Sequence, residues 1–180
     1  MFKPSTAKLS IGSLDDPNLS IDAHYNPKEL QLQRTVPWSP HQLANKNGGD
    51  QLEVEFTGAQ PRTMELELLF DGYESGKSVQ HCIDVIETLS SVRKPDGDAD
   101  ERRPHYCVVA WGDGGLKRLR CVIESVTVRY TMFDRLGTPL RAFANVKVRE
   151  AHLKAQDVEG ADQEQTTALK QRMAKRDRDR

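Results

Sequence analysis

Long hydrophobic runs are missing from this chain. Its apolar stretches extend over only a few residues, whereas a membrane-spanning helix needs about 20. The opening MFKPSTAKLSIGSL holds no apolar block of the kind a secretory leader carries. No direct membrane insertion is therefore expected. Aromatic residues are scarce at 6%, and no strand-like segment alternates basic and aromatic side chains, so no nucleic-acid stacking platform is expected. Charge of one sign is also lacking: 26 Lys and Arg stand against 27 Asp and Glu. Nothing draws the whole chain to phosphate backbones or anionic lipid. The three cysteines, Cys82, Cys107 and Cys121, form neither a CxxC pair nor a metal-ligand spacing. Reduced, buried thiols in a cytoplasmic setting are the reading that follows.

The signatures of catalysis are equally thin. His24, His41, His81, His105 and His152 are scattered, with no HExxH and no close pair, so neither a metal site nor an oriented base is expected. The stretch IGSLDD (Ile11 to Asp16) is not the GxSxG elbow. GDGG at Gly112 to Gly115 lacks the GK[ST] that completes a phosphate loop. Asp71 in LFDGYE and Asp134 in MFDRLG could stand as paired acids, with Arg62 as a partner for one of them. Turn-capping aspartate is the commoner use of such positions. No cofactor and no catalytic residue is expected.

What is present is alternation with period two, the mark of half-buried strands. It runs through LSIDAHY (Leu19, Ile21, Ala23, Tyr25), ELQLQRTV (Leu30, Leu32, Val36), QLEVEF (Leu52, Val54, Phe56) and TMELELLF (Met64, Leu66, Leu68, Phe70). HYCVVAWG is nearly all apolar, as for a strand covered on both faces. GLKRLRCVIESVTVRYTMF places Val122, Val126, Val128, Tyr130 and Met132 on one face, with Glu124 as an exception. LRAFANVKVRE puts Leu140, Ala142, Ala144, Val146 and Val148 on one face and Arg141, Asn145, Lys147 and Arg149 on the other. One segment departs: SGKSVQHCIDVIETLSSV spaces Val79, Cys82, Ile83, Ile86 and Leu89 for an amphipathic helix, with Ser75 or Ser78 as its cap.

Ser39 to Gln51 and Lys94 to Pro104 read as polar loops, and WGDGG (Trp111 to Gly115) as a tight hairpin turn. The two longest alternating segments flank FDRLGTP, where Asp134, Gly137 and Pro139 supply turn chemistry. The expectation is an extended hairpin whose tip projects, with Met132 to Arg141 available to a neighbouring subunit. Hydrophobic residues total 37%, so the core is modest. The division is residues 1–150 as one mainly β domain (α+β) and 151–180 as a polar, charged tail, disordered or ordered on contact.

Several stretches then add up to a family. YNPKEL (Tyr25 to Leu30), VPWS (Val36 to Ser39), FTGAQPRTMELELLFDGYE (Phe56 to Glu74), RPHYCVVAWG (Arg103 to Gly112) and ESVTVRYTMFDRLGTPLRAFANVKVRE (Glu124 to Glu150) resemble, in this order, the tube-associated proteins of contractile injection systems. These are phage-tail-like particles that deliver toxins. The resemblance implies a small antiparallel β-barrel of the phage-tail tube type, with one flanking α-helix and long hairpins reaching a neighbour. It implies a non-enzymatic structural protein, a homo-oligomer forming a hexameric ring between the inner tube and the spike or baseplate. Its partners would be the neighbouring tube, spike and baseplate proteins. The chain looks less like the many-copy tube protein than like an adaptor or tube-initiating layer. It also stops after the polar tail, where some relatives continue into a LysM domain, so no cell-wall binding is expected.

The motif positions give the subunit-interface candidates: Asn26, Pro27, Trp38, Arg62, Asp71, Phe133, Asp134, Gly137, Pro139 and Arg141. The outward charges Glu53, Glu55, Glu65, Glu67, Lys147 and Arg149 could line a polar lumen, or be ordinary solvated faces. Assembly is expected in the bacterial cytoplasm, within a particle that is released or membrane-docked. Two rival readings stand beside this one: a monomeric β-barrel binding module for a ligand or protein, and an enzyme using Asp71, Asp134 and Arg62.

Overall fold

The computed structural model describes residues 8–41, 53–98, 101–111 and 116–151. The tail, the tip of the Ser39 to Gln51 loop and the WGDGG turn after Trp111 lie outside those residues. Nine strands and one helix follow in the order β1 (Leu9–Ser13), β2 (Ser20–Asp22), β3 (Gln31–Gln33), β4 (Trp38–His41), β5 (Glu53–Phe56), β6 (Thr63–Asp71), α1 (Gln80–Ser90), β7 (Cys107–Trp111), β8 (Leu119–Phe133) and β9 (Pro139–Glu150). Seven strands make one antiparallel sheet ordered β2-β1-β7-β8-β9-β6-β3, and β4 and β5 make a separate ribbon. The mainly β reading with one helix is what the sequence leads one to expect.

The barrel does not close by strand pairing among the described residues, because β2 and β3 are both edges. A segment without strand structure spans the gap instead. Ala23 N–H donates to Leu9 O on β1 at 2.9 Å, and Tyr25 forms an isolated bridge to Leu69 on β6. Asn26 Oδ1 accepts the Leu9 amide at 2.9 Å.

The alternation in β6 and β9 becomes burial directly. Met64, Leu66, Leu68 and Phe70 point inward from β6, and Ala142, Ala144, Val146 and Val148 from β9. Large residues face small ones across the ladder: Phe70 pairs with Ala142, Leu68 with Ala144. On the other flank Ala142 and Ala144 face Tyr130 and Val128. Small side chains on the central strand let both neighbours fill the space above it. The helix adds Val79, Cys82, Ile83, Val85, Ile86 and Leu89 to the same core. Neither serine holds the N-cap position, which is Val79 and offers no side-chain cap; Ser78 Oγ, one residue before it, accepts the Gln80 amide at 3.1 Å, while Ser75 bonds back to Gly72 O. The turn into the helix needs Gly72, where a Cβ would meet Lys77 O at 2.0 Å.

Strand β8 departs from the expected pattern. Its inward residues are first Leu119, Cys121 and Ile123, then Val126, Val128 and Tyr130. A bulge between Ile123 and Ser125 shifts the register, placing two residues of β8 opposite one of β9 and changing the phase of the strand. Val122 is therefore not on the face of Val126, and Glu124 is no intruder: it turns outward to an ion pair with Arg149 at 2.5 Å. β7 is also less enclosed than its composition suggests, with Cys107 and Val109 buried but Val108, Ala110 and Trp111 half-buried. All three cysteines are buried and unpaired. Burial pushes the Cys107 thiol up to about 12 and Cys121 further still.

Asp15 ties the charged loop 94–104 to the end of β1. Its carboxylate accepts two bonds from Arg103 at 2.9 Å and the Tyr106 amide at 2.8 Å, and Arg93 lies 2.6 Å away. Burial opposes its ionisation, but the bonds from Arg103 and Tyr106 and the two guanidinium charges outweigh that, so its pKa lies below the ordinary value. A carboxylate with a depressed folded pKa contributes stability above its unfolded value of about 3.9 and loses it as pH falls through the folded value. Asp15→Asn should cost about 2 kcal/mol at neutral pH. Below about pH 4 the stability of this variant should fall less steeply than that of the parent chain, as read from denaturant midpoints across the acid range.

Candidate subunit interface

Among the described residues the longest unpaired strand edge of the sheet lies along β8. Its ladder to β9 runs from Cys121 to Phe133, but its ladder to β7 covers only Leu119 to Cys121. From Val122 to Phe133 no described group hydrogen-bonds to the outer edge. Helix α1 lies alongside, with Tyr130 Oη donating to Gln80 Oε1 at 3.1 Å. That contact covers side chains and leaves the edge amides and carbonyls unmatched. An edge this long is a template for pairing unless something covers it.

The face of the sheet opposite the core is polar and dished. Gln31, Glu65, Glu67, Asn145, Lys147, Ser125 and Thr127, drawn from β3, β6, β9 and β8, line an open groove of about 440 Å³. Its charges partly neutralise one another, with Lys147 at 3.7 Å from Glu65. Of the six outward charges named from the sequence, Glu65, Glu67, Lys147 and Arg149 belong to this sheet. Glu53 and Glu55 belong to the separate ribbon.

That ribbon is the arm that leaves the body. The chain stays hydrogen-bonded as a hairpin from Gln31↔Glu65 through Gln60 N–H to Thr35 O and Thr57 N–H to Pro37 O, out to His41↔Glu53. Pro37, Pro61 and Gly58, the last with φ of 129°, break it from the main sheet midway. Ser39 to His41, expected as loop, are thus strand. The β8–β9 hairpin, by contrast, is held against β6 as far as Asp71↔Arg141, so only its turn extends beyond the sheet. In that turn Asp134 Oδ1 accepts the Leu136 and Thr138 amides at 2.8 Å, and Gly137 supplies φ of 83°.

The ten candidate residues do not form one site. Asp71, Phe133, Asp134, Gly137, Pro139 and Arg141 gather at the turn end of the sheet. Trp38 and Arg62 belong to the other end, and Asn26 and Pro27 to the segment spanning the gap. Arg62 does not meet either aspartate: it pairs with Glu150, Nη2 to Oε1 at 2.6 Å. Asp71 pairs with Arg141, Nε at 2.9 Å and Nη2 at 2.6 Å. The Tyr73 amide and then Arg141 hold the Asp71 carboxyl below the usual range. These charges lock strand ends within the chain, and exposed Trp38 and Phe133 are the candidates that present apolar surface.

Two pairings were not visible in the sequence because the partners are far apart along the chain. Cys82 Sγ lies 3.7 Å from His24 Nε2, but burial raises the pKa of that thiol and so disfavours a reactive thiolate. Ser13 Oγ lies 2.8 Å from His105 Nδ1, yet the same oxygen accepts the Asp15 and Asp16 amides and Ser13 is buried. It locks a turn. Among the described residues no group of three or more His, Cys, Asp and Glu could hold a metal ion.

Asp71 and Arg141 should behave as a coupled, partly exposed pair. A double-mutant cycle with Asp71→Ala and Arg141→Ala, read by denaturant unfolding, should give a coupling of about 0.5–1 kcal/mol. A coupling of zero would show that the pair does not hold the strand ends together.

The comparison with known families bears on this arrangement of open edge, dished polar face and projecting ribbon. The family model described as contractile injection system tube protein matches residues 5–159. No match is found among curated proteins. The matched span takes in every described strand and the helix, and on that span the chain belongs to the contractile injection system tube protein family.

Proposed function

We propose that this chain is a non-enzymatic ring subunit, six copies of which close around a lumen and connect the inner tube to the spike or baseplate of the particle. The carrying observation is the unmatched edge of β8 from Val122 to Phe133. In water that edge is tolerated; in an assembly it is where a neighbour's strand adds. Where that edge meets a different surface of the neighbour the contact is heterologous, and a repeated heterologous contact closes a ring when its rotation allows.

The dished face then turns to the lumen. Its lining mixes charged and polar side chains with a share of apolar surface from Leu66 and Val146, and the outward charges Glu65, Glu67 and Lys147 within it support the reading of this face as the lumen side. Phe133, Trp38 and the turn at Asp134 to Pro139 serve as contacts between copies. Asn26, Pro27, Arg62, Asp71 and Arg141 hold the contact surfaces in shape. Assembly takes place in the bacterial cytoplasm, and the finished ring resides in a released or membrane-docked particle. The binding-module and enzyme readings have less support: the groove is open, and Asp71, Asp134 and Arg62 each serve a different local contact.

Electron microscopy of particles carrying a tagged copy of the chain checks this. The expected image has six copies in one layer at the junction of tube and baseplate. Copies distributed along the whole tube, or a chain absent from particles, would overturn the assignment.

A further inference from the structure

Cys107 and Cys121 stand directly opposite each other across the β7–β8 ladder. The third cysteine, Cys82, lies on α1 beside His24. Residues opposed across an antiparallel ladder point to the same face of the sheet. Here that face is the core, and both residues are 0% exposed. The ladder holds the Cα atoms of such a pair about 4.5–5.5 Å apart, and a disulfide takes Cα atoms about 4.4–6.8 Å apart. The backbone is therefore already in range. The Cβ atoms, about 4.5–5.5 Å apart in an opposed pair, need only a small approach to the roughly 3.5–4.5 Å of a disulfide. Both thiols are free, and Cys107 Sγ is turned to His105 O at 3.5 Å. A thiol is a weak donor, so turning that side chain toward Cys121 gives up little.

The pair also marks a boundary. Cys107↔Cys121 is the last rung of the β7–β8 ladder, and beyond it the edge of β8 is unpaired from Val122 to Phe133. On its other side Cys107 pairs with Ser13 of β1. A bond at this rung would fix β1 and β7 against β8 where local opening would otherwise begin. We propose that Cys107 and Cys121 form a modification site, at which a peroxide converts the two thiols into a cross-strand disulfide that pins β7 to β8. One thiolate attacks a peroxide oxygen; the O–O bond breaks, the sulfur is oxidised to a sulfenic acid, and hydroxide leaves to take up the proton that thiol has lost. The second thiol attacks the sulfenic sulfur; the S–S bond forms, the S–O bond breaks, and the hydroxyl leaves with the second proton as water. Each bond thus reduces one hydrogen peroxide to two waters. Hydrogen peroxide is small and uncharged, which suits a site reached through brief local opening. Burial raises both thiols well above the ordinary cysteine value, so thiolate is scarce and the reaction is slow. A compartment kept reduced by small thiols holds the pair open. The bond does not depend on ring formation.

Peroxide treatment of the full chain, followed by alkylation in denaturant and tryptic mass mapping, reads the bond directly. Cleavage after Lys117, Arg118 or Arg120 places the two cysteines on separate peptides. The expected result is a linked pair of peptides from monomeric chain, separated by dithiothreitol, with Cys82 outside the bond. The bonded chain should melt about 5–10 °C higher, because the cross-link restricts the unfolded chain, and dithiothreitol should remove the shift. Cys121→Ala should melt at the same temperature with and without peroxide. Sulfinic or sulfonic acid at either residue in place of the bond would overturn the proposal. So would linkage through Cys82 or between chains, no linkage in the folded chain, or a bonded chain that melts no higher than the reduced one.

Discussion

Strand β9 is hydrogen-bonded on both sides along almost its whole length, to β6 from Arg141 to Arg149 and to β8 from Pro139 to Glu150. Three strands are thereby fixed as one slab, and the rest of the chain takes its place from it. Ala142 and Ala144 keep the middle of the slab thin, so Phe70, Leu68, Tyr130 and Val128 can close over it with helix α1. The slab also creates the problem that assembly must solve. β8 is long enough to satisfy β9 to its tip, but β7 is only five residues and leaves it after Cys121. Among the described residues the outer half of β8 has edge hydrogen-bonding groups with no partner, and burying them unmatched in any assembly would cost several kcal/mol. A second strand, supplied by another copy, is the arrangement that avoids that cost.

The slab gives the subunit a direction as well. One end carries the ribbon and its aromatic face; the other carries a rigid turn, its backbone held by Asp134 and by the left-handed conformation of Gly137. Charged residues near both ends are mostly engaged within the chain: Arg62 with Glu150, and Arg141 with Asp71. Such pairs contribute little each when partly exposed, but they set strand ends in place, which matters more to a docking surface than to overall stability.

Much of this was legible in the sequence where alternation ran unbroken. β6, β9 and the helix stripe follow directly from period two and period 3.6, because those segments have one buried face and no bulge. β8 was legible as a strand but not in phase, since a bulge at Ile123 to Ser125 exchanges inside for outside halfway along. The expected barrel is not closed among the described residues, and alternation could not have told this, because closure is a property of distant edges, here β2 and β3. The β8–β9 turn does extend beyond the sheet, as its turn chemistry leads one to expect, with Leu136 92% exposed. The β4–β5 ribbon was not legible as a second arm, because the break at Pro37, Gly58 and Pro61 looks like loop composition. The family motifs marked Trp38 and Phe133 as well as Arg62 and Asp71, and only the structure separates residues that face outward from those engaged within the chain.

The most direct test of the account is amide hydrogen exchange across Val122 to Phe133, compared between the isolated chain and assembled particles. If the β8 edge is where a neighbouring subunit adds, the outward-facing amides of this segment exchange rapidly in the free chain and become strongly protected in the particle, while β9, already paired on both sides, changes little. Equal exchange of the β8 edge in the two states would contradict closure through that edge.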